Sequence, residues 1–350
     1  MMHAQAMEEY GEPLKPRSKP VPVPKGREVV VRISHCGLCH SDLHLHEGKF
    51  DLGDGKSLDI RSGRPLPFIL GHEICGTVEA VGEAVTERFG DGPYAVYPWC
   101  GCGACARCRA GDEHLCEASQ HLGINRDGGF ATHVLVPDAR HLIDVSGIPV
   151  EVAGSIMCSG ITAFGAFRKA EPYLLGRPLM VIGLGGVGMM AVRIAKALAG
   201  VPVLAADIDP VKREAALAAG ADHVFDPRAE GVRKAVLSAA GGACGAAIDF
   251  VGNGQTFDFA SAVTGKASAI VVAGLMGGRM SIPVPMFPLR TLTITGTFVA
   301  SPAEARELVD LMRNGTVAMQ AVTVRPLDEV NAAMEALAKG EVVGRVVLKT

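Results

Sequence analysis

Four cysteines lie close together in the sequence, with a spacing that is typical of a metal site. They are Cys102, Cys105, Cys108 and Cys116, separated by two, two and seven residues. Gaps of two residues let thiolates on a tight loop converge on one tetrahedral ion, with Zn–S bonds of about 2.3 Å. Because four sulfurs leave no coordination position open, we expect a structural zinc ion here. Free buried thiols and an iron–sulfur cluster remain alternatives, although the spacing matches none of the common ferredoxin patterns.

A second group of candidate ligands is spread over three segments of the chain. Residues 37–44 are GLCHSDLH, residues 71–73 are GHE, and Cys158 lies within MCSGIT. Taken singly, a histidine in such a segment is more often a hydrogen-bonded core or surface residue than a ligand. The combination of these histidines with thiols nevertheless predicts a second metal site.

A glycine-rich turn follows a predicted strand and opens a predicted helix. The apolar run 179–182 leads into GLGGVG at 183–188, and a helix is expected to begin near Val187. Gly183, Gly185 and Gly188 would provide the tight turn, the close backbone approach to a pyrophosphate and the helix–strand contact. Asp207 follows the next strand, where a carboxylate can accept hydrogen bonds from ribose hydroxyls and repels a 2′-phosphate. We therefore expect NAD rather than NADP.

The elements that must position these residues change in character along the chain. Up to about residue 158, short alternating apolar runs such as Val29, Val31 and Ile33 predict half-buried antiparallel strands. From about residue 178, six apolar runs alternate with Ala-rich segments, which predicts a Rossmann-type doubly wound parallel sheet covered by helices. The tail is expected to hold helices at 302–314 and 327–339 and a final strand, and to return to the first domain. The insertion 49–67 is expected to be a surface loop.

Composition narrows the class of protein. The 350 residues suggest two domains, and 48% hydrophobic against 20% charged residues is the balance of a globular protein. A net charge of −3 provides no basic surface for nucleic acid. No uninterrupted apolar run approaches the 18 or so residues of a membrane span, and the N-terminus does not resemble a secretory signal. We expect a cytoplasmic protein, in which ten cysteines serve metal binding or catalysis rather than disulfides.

Six motifs together resemble one known family. CGLCHSDLH, GHE, the four-cysteine run, MCSGIT, GLGGVG and VGR occur in the order found in the zinc-dependent medium-chain alcohol dehydrogenases. The resemblance covers essentially the whole chain. It implies a mainly β, GroES-like catalytic domain over 1–158 and 297–350, and a dinucleotide-binding Rossmann domain over 159–296.

The resemblance also implies roles for individual residues. A catalytic zinc ion would be bound by Cys39, His72 and Cys158. One imidazole with two thiolates is the ligand set known for alcohol dehydrogenases. Glu73 would stand near the metal, and Asp42 would orient His72. Ser41 would take the alcohol proton, and His44 would pass it to solvent. The expected cofactor contacts are His40, Thr162, Gly183, Gly185, Gly186, Val187, Gly188, Asp207, Lys212 and Arg345.

The implied reaction is the reversible oxidation of an alcohol to an aldehyde or ketone. Ionisation of the alcohol comes first, and its carbon then transfers hydride to NAD. A polyol or sugar dehydrogenase and a non-catalytic zinc and NAD redox sensor remain alternatives. The segment 50–56 and the cysteine run resemble the 6-hydroxyhexanoate dehydrogenase branch, which favours primary or aromatic alcohols.

Some features of the sequence allow two interpretations, and several residues have no predicted functional role. Trp99 is equally well explained as a wall of the substrate pocket and as a core residue. Family members are dimers or tetramers, and a homotetramer is expected here, with the edge strand near 291–295 pairing across a two-fold axis. Four further histidines have no predicted role: His35, His46, His114 and His121. Four further cysteines are expected only to pack: Cys36, Cys75, Cys100 and Cys244.

Overall fold

Two β-sheets, one of seven strands and one of six, position the candidate ligands in the computed structural model, which describes all 350 residues. Two further strand pairs form small antiparallel sheets. The strands are β1 (Met2–Ala6), β2 (Lys15–Lys19), β3 (Val29–Gly37), β4 (Lys49–Gly53), β5 (Lys56–Asp59), β6 (Glu73–Val81), β7 (Tyr94–Val96), β8 (His133–Val136), β9 (Leu142–Asp144), β10 (Leu179–Ile182), β11 (Val203–Ala206), β12 (His223–Phe225), β13 (Cys244–Asp249), β14 (Thr264–Val272), β15 (Thr293–Gly296), β16 (Val322–Pro326) and β17 (Arg345–Lys349).

The helices are distributed around these sheets. They are α1 (His40–Glu47), α2 (Ala106–Arg109), α3 (Val150–Ser155), α4 (Ile161–Ala170), α5 (Gly186–Leu198), α6 (Pro210–Ala218), α7 (Val232–Ala239), α8 (Gly254–Val263), α9 (Met286–Arg290), α10 (Pro302–Arg313) and α11 (Val330–Ala338). Short 3₁₀ turns lie at Glu113–Leu115, Ala139–His141, Glu171–Tyr173 and Leu327–Glu329, and a π-helical turn lies at Ile156–Gly160. The two helices expected in the tail are confirmed as α10 and α11.

The six-stranded sheet is parallel throughout, with the order β12-β11-β10-β13-β14-β15. Each of the six apolar runs forms one of its strands, so the predicted doubly wound sheet is confirmed. Strands β10, β11 and β13 are buried along their whole length, because helices cover the sheet. Strand order reverses between β10 and β13, and the crevice at their carboxyl ends is where such sheets bind ligands.

The seven-stranded sheet has the order β16-β17-β3-β6-β7-β9, with β8 also pairing with β3. All its pairings are antiparallel except that between β16 and β17. The expectation of a half-buried strand at Val29–Gly37 is wrong at its start, because Val29, Val30 and Val31 are all fully buried. Val29 and Val31 pack in one cluster with Met2 and Ala4, while α3 packs against β3 and β6.

Helix α3, the π-helical turn and α4 join into one helical stretch, Val150–Tyr173. Its 24 residues are long and apolar enough to cross a membrane, but 83% of its most apolar 18-residue segment is buried inside the fold. This burial identifies it as a core helix. It contacts both large sheets, since α3 packs on β6 and α4 packs on β13 and β14.

The insertion 49–67 was expected to be an irregular surface loop, and this expectation is wrong for its first half. Strands β4 and β5 pair antiparallel around a two-residue turn, Asp54 and Gly55, whose φ angles of 53° and 72° are those of a type I′ turn. The hairpin reaches the loop after β14. There the Nε of Arg279 donates to the Leu52 carbonyl at 3.4 Å, and a guanidinium nitrogen of Arg279 lies 3.1 Å from a carboxylate oxygen of Asp54.

Candidate functional site

The four-cysteine loop forms a compact sulfur cluster. The Sγ atom of Cys105 lies 3.5 Å from that of Cys108 and 3.8 Å from that of Cys116. The Sγ atoms of Cys102 and Cys108 are 4.0 Å apart. Tetrahedral sulfurs bound at 2.3 Å to one ion would be about 3.8 Å apart. All four ligand atoms lie within 4.8 Å of one another, which fits one ion and leaves no room for a multi-iron cluster. Buried free thiols do not describe this cluster, because Cys102 is exposed.

Backbone N–H groups stabilise the thiolate form of Cys102, the form that zinc requires. The amides of Ala104 and Cys105 donate to the Cys102 sulfur at 3.5 Å and 3.4 Å. These hydrogen bonds lower the pKa of Cys102 to about 6. The donor set and its spacing therefore fit a zinc ion with a structural role.

One carboxylate connects this loop to the body of the protein. Glu113 accepts hydrogen bonds from the Gly101 amide at 3.2 Å, from Arg140 at 3.1 Å and 3.0 Å, and from His141 Nε2 at 3.0 Å. Burial alone would raise the pKa of Glu113. Hydrogen bonds from His141 and Arg140 outweigh burial and lower that pKa to about 2.

The second candidate cluster brings together ligands from three distant segments. Cys39 Sγ lies 3.8 Å from Cys158 Sγ, and Cys158 Sγ lies 3.3 Å from His72 Nε2. The pairing of β3 with β6 explains part of this arrangement. Gly37 and Glu73 are direct partners in these two antiparallel strands. Cys39 comes two residues after Gly37 and His72 one residue before Glu73, so both lie at the same end of the sheet. Cys158 reaches them from the π-helical turn, a feature often found at functional sites.

Asp42 organises this second cluster. Its carboxylate accepts from the Cys39 amide at 2.9 Å and the Gly71 amide at 3.2 Å, and it lies 3.3 Å from His72 Nδ1. Burial lowers the pKa of His72, but the adjacent Asp42 carboxylate, with Cys39, outweighs burial and raises it to about 10. Two thiols and an oriented imidazole, with Glu73 nearby, fit a buried zinc ion.

Arg345 connects this cluster to the glycine turn. Its Nε donates to Glu73 Oε2 at 2.9 Å, its Nη2 contacts Glu73 Oε1, and both side chains are buried. The same guanidinium lies beside Gly186, where a Cβ atom would come within 2.9 Å of Arg345 Nη1. A cation therefore lies between the metal-binding cluster and the start of α5.

The glycine turn has the geometry that a phosphate-binding turn requires. Gly183 has a φ of +84°, which favours glycine, and a Cβ on Gly188 would lie 1.7 Å from the Gly183 carbonyl oxygen. Helix α5 begins at Gly186, close to the predicted start, so its positive end faces the turn. The first turn of α5 and the Arg345 guanidinium thus fit a pyrophosphate.

The remaining predicted cofactor residues lie around the same crevice. Asp207 follows β11 directly, and its carboxylate accepts from the Leu184 amide at 2.7 Å. Lys212 lies on α6, and its Nζ is 3.8 Å from an Asp209 oxygen. Thr162 lies on α4, four residues after Cys158, and α4 packs against α5.

Helix α1 carries the predicted relay residues. Ser41 and His44 lie three residues apart and so share a face of α1. The His44 ring is 5.2 Å from the ring of His40 and 5.0 Å from that of Phe50. Burial, followed by the proximity of His40, lowers the pKa of His44, which favours the neutral form that accepts protons.

An aromatic group beside the second cluster was not predicted as a unit. The ring of Trp99 is 5.5 Å from that of His72, and its Nε1 donates to the Met157 carbonyl at 2.9 Å. Trp99 also contacts the rings of His121 at 5.4 Å and Phe298 at 5.1 Å. Trp99 is thus both a buried core residue and a neighbour of a candidate metal ligand. The four cysteines expected only to pack are buried and free: Cys36, Cys75, Cys100 and Cys244.

Comparisons with known proteins agree with this geometry. Residues 25–147 match the family model of the alcohol dehydrogenase GroES-like domain, and residues 186–314 match that of the zinc-binding dehydrogenases. The chain is 36% identical to an NAD-dependent alcohol dehydrogenase of Sulfurisphaera tokodaii and 35% identical to one of Saccharolobus solfataricus, over 99% of each chain. It superposes with a TM-score of 0.89 on the alcohol dehydrogenase of Aeropyrum pernix, at 33% identity over 99% of this chain and 100% of that one. The chain belongs to the zinc-dependent medium-chain alcohol dehydrogenase family.

Proposed function

We propose that this protein is an NAD-dependent alcohol dehydrogenase with two zinc ions per chain. The observation that carries the proposal is the buried group of Cys39, His72 and Cys158, which Glu73 and Arg345 connect to the dinucleotide turn. These three residues would hold the catalytic zinc. Cys102, Cys105, Cys108 and Cys116 would hold the structural zinc.

Side chains of the protein would accept the hydroxyl proton of the alcohol and transfer it to solvent. When bound, the catalytic zinc lowers the pKa of the alcohol and NAD accepts the hydride. Ser41 Oγ, at the start of α1, would accept the hydroxyl proton and pass its own toward His44. Neutral His44 would then carry the proton toward solvent, and the reverse transfers would serve aldehyde or ketone reduction.

The remaining residues bind and orient. Asp42 would orient the His72 ring, so that Nε2 faces the metal position. Glu73 would stand beside the metal and hold Arg345 at the pyrophosphate. Asp207 would accept hydrogen bonds from the adenosine ribose. The other proposed cofactor contacts are His40, Thr162, Gly183, Gly185, Gly186, Val187, Gly188 and Lys212.

The same proposal includes the division into domains, 1–158 with 297–350 and 159–296. The first unit is supported by strands β16 and β17, which join the sheet of β3, and the second by the parallel sheet. The boundary near 158 falls inside the continuous helix Val150–Tyr173, which would couple the two units.

We also propose a cytoplasmic homo-oligomer, with a tetramer preferred to a dimer. Strand β15 is the edge of its sheet, and apolar side chains are exposed just before it, with Val284 78% and Leu289 66% accessible. Such an edge is a surface on which a second copy can pair. Light scattering on the purified protein should give a multiple of the chain mass, and Leu289→Glu should reduce it. A monomer in the unmodified protein would contradict this part.

A metal count combined with a substrate screen tests the activity. We expect two zinc ions per chain and NAD reduction with primary or aromatic alcohols. Reduction of NAD by polyols or sugars alone would favour the second enzyme class. Two zinc ions with NAD binding but no turnover of any alcohol would indicate a sensor and overturn the proposal.

A further inference from the structure

A buried histidine lies in the aromatic group next to the proposed catalytic metal position. The Trp99 ring contacts both His72 and His121. Its centroid lies 5.5 Å from that of His72 and 5.4 Å from that of His121. Phe298 stacks on His121 at 6.0 Å and is itself 46% exposed. The group thus extends from a metal ligand to an aromatic ring that faces solvent.

The backbone fixes His121 opposite Trp99. The Gln120 amide donates to the Cys100 carbonyl at 2.8 Å, and the Leu122 amide donates to the Pro98 carbonyl at 2.9 Å. These two bonds place residue 121 opposite residue 99, and the two rings lie 5.4 Å apart. The position of the imidazole is therefore set by the fold before any ligand binds.

The Nε2 atom of His121 is buried and has no hydrogen-bond partner. His121 is only 7% exposed, and its Nε2 is buried without a donor or acceptor in reach. A buried polar group without a partner is destabilising and rare in native proteins, so it calls for an explanation. Burial, with smaller effects from His114 and His72, lowers the pKa of His121 to about 4. The ring is therefore neutral at pH 7 and offers both a donor and an acceptor.

We infer that His121 is a specificity-determining residue, which hydrogen-bonds a second oxygen of the substrate at a fixed distance from the reacting alcohol. The preferred substrates would be primary alcohols that carry a remote hydroxyl or carbonyl oxygen, with the connecting carbons packed against Trp99 and Phe298. The inference rests on the proposed function, because it concerns the pocket beside the same metal position. A site built to pair with a substrate oxygen discriminates strongly against analogues that lack it.

Isosteric substrate pairs test the inference. In 1,3-propanediol, 1,4-butanediol and 1,5-pentanediol, a hydroxyl replaces the terminal methyl of 1-butanol, 1-pentanol and 1-hexanol. We expect the ratio of kcat/KM for diol over alkanol to peak at one chain length. His121→Phe should lower the peak ratio by about 5- to 30-fold, as expected for loss of a buried neutral hydrogen bond.

Two further variants separate hydrogen bonding from packing. His121→Gln keeps a donor and an acceptor and should retain part of the ratio, whereas His3→Phe, at an exposed position of β1, should leave it unchanged. If His121→Phe and the unmodified protein have the same ratio at every chain length, His121 only packs and the inference is wrong.

Fluorescence gives a second measurement that needs no turnover. Trp99 is the only tryptophan in the chain, and it contacts His121 directly. Titration with diol or alkanol should change the Trp99 emission. In the unmodified protein, the diol of preferred length should have a lower Kd than its matching alkanol, and in His121→Phe this difference should be lost. Equal Kd values for diol and alkanol would refute the inference even if alcohols are oxidised. Absence of any alcohol-dependent NAD reduction would instead refute the proposed function.

Discussion

Replacing Glu113 with glutamine should weaken the four-cysteine loop without removing any of its sulfur ligands. The carboxylate accepts four hydrogen bonds, three of them from Arg140 and His141. The lowering of its pKa from 4.5 to about 2 corresponds to at most about 3 kcal/mol. Solvent near the loop and the second partner of Arg140, Asp138, reduce this value, so we expect a loss of about 2 kcal/mol.

The pH range of the experiment follows from the sign of the shift. A carboxylate with a lowered folded-state pKa stabilises the fold above its unfolded value of 4.5, and the contribution fades as pH falls toward 2. Between pH 6 and 8 the full effect is therefore present. A loss of about 2 kcal/mol should lower Tm by about 3 °C in a chain of this length.

A coloured chelator should detect the same weakening as faster metal loss. We expect Glu113→Gln to release one of two zinc ions about 10- to 30-fold faster than the unmodified protein. Glu117→Gln, which alters an exposed carboxylate one residue after Cys116, is the matched control. If both variants release zinc at the same rate, the hydrogen bonds of Glu113 do not hold the loop and this reasoning is wrong.

Four further substitutions test the proposed division of labour. Cys39→Ala should reduce the zinc count from two to one per chain and lower kcat at least 1000-fold, as an order-of-magnitude expectation for losing a catalytic metal, with an unchanged circular dichroism spectrum. Cys105→Ser should mainly lower Tm, and the reverse pattern would contradict the assignment of the two metal sites. Asp207→Ala should raise the KM for NAD about 10- to 100-fold while improving the use of NADP, because a charged hydrogen bond and a repulsive charge are both lost; unchanged KM values for both cofactors would remove Asp207 from the cofactor site. His44→Ala should slow alcohol oxidation roughly tenfold at pH 7. Burial lowers the pKa of His44, so the acid limb of the unmodified enzyme should lie below pH 6.5, and identical pH–rate profiles would exclude the relay.

The parts of the fold that were predictable have strong local signals. Parallel strands covered on both faces give uninterrupted apolar runs, which is why all six strands of the cofactor sheet could be found from sequence. The glycine turn and the four-cysteine run are similarly local, because their function depends on residues a few positions apart. The convergence of Cys39, His72 and Cys158 depended on the family resemblance, since nothing local reports that β3 and β6 pair.

Features that depend on long-range contacts or polar strands were missed. Strand β5 is exposed along its whole length, so the hairpin lacked the alternation that reveals strands, although Asp54-Gly55 is a recognised turn signal. The environment of His121 depends on Trp99 and on Phe298, which lies 177 residues further along the chain. The fully buried start of β3 depends on packing by β1 and α3. Single-sequence patterns carry no information on such contacts.

The β4–β5 hairpin touches the loop after β14 through backbone as well as charge. A Cβ atom on Gly53 would lie 3.0 Å from the Gly278 Cα. The two backbone segments therefore approach more closely there than larger residues would allow. If the crevice widens when NADH leaves, this contact and the exposed Arg279–Asp54 pair must separate in every turnover. The pair is weak enough to part readily and is screened by salt, so moderate ionic strength would accelerate coenzyme departure rather than hinder it.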